Sequence, residues 1–449
     1  MAILLPESKA RPFRTRFFHA FYSLNRRKYF TKYQIRAAGI RDIVNVIKSE
    51  SPEGGPEMIH NLKHEIESVL PEVIAIRRDI HRHPETGFKE FRTSQIIKDY
   101  LKDLDLDSIQ ECAGTGVIAT LNDGKPGRRA MILADIDALP MEEKSGEPFA
   151  AEIKTAGHCC GHDAHAAIQL GIAKILAAHR DEIPGSVVFL FQPNEEDAGA
   201  QIMIDDGAVE KAGHPDAIFG SHNSPAIRLG QFGVVPGPSM ASSYYYKILI
   251  RGKGGHGGRP HMAVNPVDAS AFVLIAIKNM LTAEQNALNP TVITNCMIHG
   301  GEKEITIPET CEMQGSIRCL HTEHEKVHAR FREVVAAACA INGCSCEVEL
   351  KCGNSLLYND PQITELCAKT IEEAFGEGCI VTEGVKAMGG DDYAEFLPYM
   401  PGCYFWYGTA DDTGEWPGLH NPAYRFNEKA IAPFMEAQIR CVLKYLEQK

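Results

Sequence analysis

The chain has 449 residues, of which 44% are hydrophobic and 23% charged, and it carries a formal net charge of −13. That length is enough for two or three domains, each with a sizeable core. The acidity excludes a general nucleic-acid binder, and no uninterrupted apolar run reaches the roughly 18 to 20 residues of a membrane span.

The charge is uneven. Residues 1–48 hold eleven basic groups and two acidic ones, Glu7 and Asp42, a net of +9 that leaves −22 for the rest (−13 − 9). This segment lacks the apolar centre of a secretory signal. Its arginines and scarce acids match a mitochondrial transit segment in part, although serine is sparse. Two localisations stay open: a cytoplasmic protein with an accessory basic arm, or a mitochondrial one. Ser51 to Pro56 is a linker by composition, so residues 1–57 read as an N-terminal extension. Fourteen cysteines in a chain without a secretion signal read as reduced thiols. Cys159 and Cys160 are adjacent and cannot easily bridge each other.

Organised sequence begins after the linker. Apolar positions at helical spacing run over 60–82, through Leu62, Ile66, Val69, Val73 and Ile80, and helical spacing returns over 93–104. Short apolar runs at 116–121, 130–134, 185–191 and 217–220 read as strands, the middle ones buried on both faces. A long apolar helix over 164–179 lies between them. Strands alternating with helices predict an α/β fold, a mostly parallel sheet with helices on both faces, in a catalytic domain over 58–240. The pattern changes near 241. A strand at 244–251, a helix at 266–281, strands at 291–299 and 311–320, a helix at 324–342 and a strand at 346–351 make the split ferredoxin-like order. This predicts an inserted α+β domain over 241–353. The first domain resumes over 354–449 with a helix at 361–375, a loop at 388–393, a strand at 403–408 and a helix at 428–447.

Chemistry concentrates between Gly157 and His165, where three histidines, two cysteines and an aspartate fall within nine residues. Ligand types at that density, in a loop leading into an apolar helix, suit a transition metal. Glu195-Glu196 lies just past one predicted strand and His222 just past another, where α/β sheets keep their sites. Adjacent glutamates on an extended chain point different ways, which suits one carboxylate as ligand and the other as proton acceptor. With His420, the residues Cys160, His162, Glu196 and His222 make five ligands, enough for two ions, and the cysteine favours Zn²⁺ or a similar borderline ion. Glycines at 254, 255, 257 and 258 flank His256 and read as a flexible presenting loop.

Taken together these residues resemble the dinuclear metallohydrolases of the aminoacylase/carboxypeptidase type (metallopeptidase family twenty, subfamily D). The branch is that of auxin-conjugate hydrolases, hippurate hydrolases and N-acyl-amino-acid amidohydrolases. Five blocks match in order: 135–140, 158–165, 191–196, Gly254-Gly255-His256 with Pro260-His261, and 388–393. The resemblance covers about residues 58 to 449. It implies a metal-dependent hydrolase of N-acyl or N-aroyl amino acids, or small dipeptides. Two divalent ions would be held by Cys160, His162, Glu196, His222 and His420, with Zn most expected and Mn, Co or Ni as alternatives. Glu195 would be the general base. The inserted domain would be a lid that forms a homodimer and carries His256 to the partner's site, where it stabilises an oxyanion. Arg318 would bind a substrate carboxylate.

The chain departs from the family pattern at Cys159, where alanine is usual, at Ile305-Thr306-Ile307-Pro308, which lacks an asparagine, at Asn223-Ser224 and at Asp391. Two other readings stay open: a cysteine-nucleophile amidohydrolase using Cys159 or Cys160, and a non-catalytic metal-binding homologue.

Overall fold

The computed structural model describes residues 57–412 and 416–448. The basic extension and the transit-segment reading attached to it lie outside the described residues. Helices are α1 (Glu57–Arg82), α2 (Phe91–Lys102), α3 (His162–Ala178), α4 (Gly199–Asp205), α5 (Ala208–Lys211), α6 (Pro266–Ala283), α7 (His324–Ile341), α8 (Pro361–Phe375) and α9 (Ile431–Leu446).

The molecule is a mixed α/β fold built on an eight-stranded sheet. In spatial order its strands are Ser108–Cys112, Gly116–Leu121, Ser186–Gln192, Arg129–Asp135, Ala217–Arg228, Gly402–Ala410, Phe232–Gly233 and Ile380–Val381. The four strands from Ser186–Gln192 to Gly402–Ala410 are mutually parallel. The pairings on either side of that block are antiparallel. Helices cover both faces. α1, α2, α3, α8 and α9 pack on one face through residues such as Leu62, Ile97, Ile168, Ile371 and Met435. α4, α5 and the turn Asp392–Phe396 cover the other through Met203, Val209 and Phe396. Burial on both faces explains why the central strands read as continuous apolar runs.

α3 runs down the middle and is buried almost throughout. A Cβ on Gly171 would lie 2.6 Å from Val73 Cγ2 and 2.8 Å from Met435 Cε, so glycine lets α1 and α9 close over the helix.

A second sheet holds Thr291–Gly300, Thr310–Cys319, Ser242–Arg251 and Ser345–Asn354 in that order, all antiparallel. α6 and α7 pack on one of its faces through Val273, Ile277, Phe331 and Val335 against Tyr246, Ile248 and Ile317. α6 is mostly apolar, with Asp268 and Lys278 its only charged residues, yet only its inward side is buried.

Some bounds differ from the sequence reading. The third parallel strand extends to Arg228 because Gly402–Ala410 keeps pairing with it. The C-terminal helix starts with a 3₁₀ turn, Glu428–Ala430, before α9. Phe232–Gly233 and Ile380–Val381 are too short to carry a pattern of their own.

Candidate metal centre

The parallel strands end on one side of the sheet, and the chemistry gathers there. Asp135 closes its strand, Gln192 closes the next with Glu195 and Glu196 just beyond it, and His222 stands opposite Trp406 across a strand pair. The loop to α3 turns at Gly161, where φ is +101°. A Cβ there would lie 2.3 Å from Asn223 Nδ2, so this position needs glycine twice over. The turn presents Cys160 and His162 side by side.

Cys160 Sγ lies 3.3 Å from His222 Nε2 and 3.3 Å from His420 Nε2. Glu196 Oε1 lies 3.2 Å from His420 Nε2, an ion-pair distance. Ligand atoms of Cys160, His162 and Glu196 fall within 4.8 Å of one another. Atoms held about 2.0–2.3 Å from one tetrahedral ion sit roughly 3.3–3.7 Å apart, so these spacings suit shared ligation better than direct bonding. His162 Nδ1 pairs with Asp137 Oδ1 at 3.1 Å, and Asp137 Oδ2 accepts from Glu196 N at 3.3 Å. His162 Nε2 is buried with no hydrogen-bond partner. Asp137 thus turns this histidine so that a nitrogen without a hydrogen-bond partner faces the cluster, 3.5 Å from Asp135 Oδ2, the outer-shell arrangement of metal-bound imidazoles.

The field at the cluster favours positive charge. Burial works against charge on His162, but Asp135 and Cys160 outweigh it and hold its pKa well above the usual value. Hydrogen bonds to Cys160 and Glu196 lift His420 to about 10. Burial, with His165 close by, pushes His222 down to about 3 and keeps it a neutral imidazole. A second group adjoins the first: Asp135, His162 and His222 also converge within 4.8 Å, with His165 packed among them. The thiol, imidazole and carboxylate donors therefore fit two divalent metal ions.

The adjacent glutamates do face different ways, but the backbone behind them is not extended. They lie on a 3₁₀ turn, Glu195–Asp197, between Asn194 (φ +55°) and Ala198 (φ +62°). Glu196 faces Cys160 and His420. Glu195 Oε2 lies 3.9 Å from His162 Nε2 on one side and groups with Asp391 and Asp392 on the other. Burial first, then those two carboxylates, raise the proton affinity of Glu195 well above the usual range. Tyr404 donates to Asp391 Oδ2 at 2.6 Å, and Gln192 donates to Asp392 Oδ1 at 2.5 Å.

His256 and Arg318 stand apart from these six residues. His256 is exposed in the short pairing Gly255–His256 with Thr306–Ile307, and its Nδ1 accepts from Gly258 N at 2.9 Å. Arg318 Nη1 donates to Met388 O at 2.9 Å. Among the described residues no hydrogen bond or ion pair joins either to the cluster. Neither adjacent cysteine is an activated thiolate: burial pushes Cys159 up to about 12 and raises Cys160 as well. All fourteen cysteines are free.

Several participants had no role assigned from sequence. Asp135 ends a buried strand and Asp137 follows it at i, i+2 spacing, which was the available signal. His165 stood in the ligand-dense stretch and Asn223 at a departure from the family pattern, without a role for either, and Tyr424 gave no signal.

Peptidase family M20/M25/M40 matches residues 131–444. An N-acetyl-L-cysteine deacetylase of Bacillus subtilis is 34% identical over 362 residues, covering 80% of this chain and 85% of its own. The IAA-amino acid hydrolase ILR1-like 2 of Arabidopsis thaliana is 32% identical over 384 residues, covering 84% and 86%. The crystal structure of a Bacillus subtilis dinuclear metal-binding peptidase of the M20 family superposes with a TM-score of 0.74 at 29% identity, over 85% of this chain and all of that one. With that match spanning the strands and loops that build the cluster, the chain belongs to peptidase family M20/M25/M40 and is an amidohydrolase.

Proposed function

We propose that this protein hydrolyses the amide bond of an N-acyl or N-aroyl amino acid, or of a small dipeptide-like molecule. Cys160, His162, Glu196, His222 and His420 would hold two divalent ions, Zn²⁺ foremost because a thiol is among the donors. Bound there, the ions would polarise the substrate carbonyl and acidify water. Glu195 Oε2 takes a proton from the attacking water and returns it to the departing amine nitrogen. Its burial beside Asp391 and Asp392 raises its proton affinity toward what that double transfer needs. Asp137 keeps His162 in the orientation that leaves Nε2 free. The observation that carries this reading is the orphaned, buried His162 Nε2 facing Cys160 and Glu196, with Glu195 alongside.

The unit over 241–353 serves in this reading as a ferredoxin-like lid and dimerisation domain. Supporting it, Phe272 and Ile275 on α6 and Val292, Met297 and Ile298 on the adjacent edge strand are exposed apolar residues. A homodimer across that face would cover them and bring an exposed His256 to the partner's cleft, where it stabilises the oxyanion. Arg318, held at Met388 O, would meet the substrate carboxylate from the lid side.

The test is metal content and turnover on a panel of N-acyl amino acids, for the wild type and Glu195→Gln. The expected result is up to two transition ions per chain, chelator-sensitive hydrolysis, and turnover reduced by about 10²-fold or more in the variant with its metal retained. A variant that keeps turnover removes Glu195 from the chemistry.

A further inference from the structure

Away from the strand ends, α7 opens with His324-Glu325-Lys326-Val327-His328. Histidines four apart on a helix share one face. Here the two ring centroids lie 5.8 Å apart. His328 is 8% exposed, and its Nε2 is excluded from solvent with no hydrogen-bond partner. His324 Nδ1 is buried and unpartnered in the same way. Among the described residues neither ring makes a hydrogen bond or an ion pair. Their ring contacts are with each other and with Tyr244, whose ring centroid is 4.1 Å from that of His328.

A buried imidazole nitrogen without a partner is costly, on the order of 1–3 kcal/mol. Two of them one helical turn apart are hard to account for by packing alone. Their state is right for ligation: burial, then His324 and Arg332, push His328 down to about 4, so its lone pair is free at neutral pH.

We propose that His324 and His328 form a second transition-metal site, separate from the hydrolytic centre. It takes a borderline ion such as Ni²⁺, Zn²⁺ or Cu²⁺ on the two imidazole nitrogens. Imidazole-only donors exclude Mg²⁺ and Ca²⁺, which require oxygen. The spacing is that of the His-Glu-x-x-His metallopeptidase helix. Here, however, Glu325 is exposed, and no third histidine, cysteine or carboxylate converges with the pair among the described residues. The site is therefore a binding site rather than a second hydrolytic one.

The test uses the full chain with its hydrolytic centre loaded with Ni²⁺ beforehand, so that exchange there is silent. Further Ni²⁺ is then titrated by calorimetry. The wild type is expected to take up one additional Ni²⁺ per chain. His324→Asn and His328→Asn are each expected to weaken that uptake by about tenfold or more, because a chelate loses one of two preorganised ligands. Hydrolytic-centre metal and turnover stay unchanged in both. His324 is only half-buried at the helix start, so His324→Asn carries the test even where His328→Asn fails to fold. No additional Ni²⁺ in the wild type, or the same uptake in His324→Asn, overturns the site.

Discussion

The Asn223 side-chain amide lies 3.2 Å from His165 Nε2, and this contact decides what His165 does. The same amide donates to Cys160 O at 2.6 Å, while its oxygen accepts from Tyr424 at 2.5 Å. A carbonyl can only accept, so the amide orientation is set, and the N–H facing His165 makes Nε2 an acceptor. Nδ1 then carries the hydrogen and donates to Asp135 Oδ1 at 2.5 Å. Both nitrogens are in use. His165 packs 5.6 Å from the His162 ring and 4.7 Å from the His222 ring as a spacer rather than as a ligand, and it steadies Asp135 beside His162.

Asn223→Leu removes all three bonds from a fully buried position. Each polar group left unsatisfied costs about 1–3 kcal/mol. The expected outcome is a lower unfolding temperature together with weaker metal binding, because the carbonyl of Cys160, a proposed ligand, loses its anchor. Thermal melts and a chelator competition read the two effects. Normal metal affinity in a folded variant would show that the network supports the fold alone.

Asp137→Asn keeps the shape of the group that turns His162 but weakens its hold. Loss of such an outer-shell carboxylate lowers metal affinity by roughly 10–100-fold. Competition against a metal-sensitive dye measures it, and an unchanged affinity would sink the assigned orientation of His162.

Behind the loop, His81 joins Asp163 at 2.9 Å and Glu143 at 3.0 Å, and Arg77 also donates to Asp163 at 2.8 Å. Burial opposes charge on His81, but Asp163 and Glu143 prevail and lift its pKa to about 9. A raised folded-state pKa means stability that is complete below the unfolded value near 6.5 and lost as pH climbs through about 9. The loss is on the order of 3 kcal/mol. Melting temperature should fall between pH 7 and 9.5 in the wild type and fall less in His81→Gln. Equal slopes in the two proteins would remove His81⁺ from the stability balance.

Phe272→Glu or Ile275→Glu puts a charge on the exposed apolar side of α6 without touching the buried side. Sedimentation should show the proposed dimer in the wild type and monomer in the variant, with turnover lost in parallel if His256 acts across the interface. A variant that stays dimeric would place the contact elsewhere.

Much was legible from local sequence. Apolar spacing at 3.6 or 2 residues locates helices and strands because burial of one face depends only on neighbours along the chain. Gly157 to His165 and Glu195-Glu196 were legible for the same reason: Cys160 with His162, and Glu195 with Glu196, are near-neighbours, and their donor types announce themselves. Packing decided the rest. Cys160 meets His420 across 260 positions, Arg77 meets Glu428 across 351, and Asn223 meets Tyr424 across 201. Such pairs form only once the strands that carry Asp135, Gln192 and His222 lie side by side and the helices pack on their sheet. That order comes from long-range sheet pairing, which no local periodicity encodes. The different surroundings of Glu195 and Glu196 come from the fold around them, and the orientation of His162 and His165 follows from hydrogen bonds to Asp137, Asp135 and Asn223.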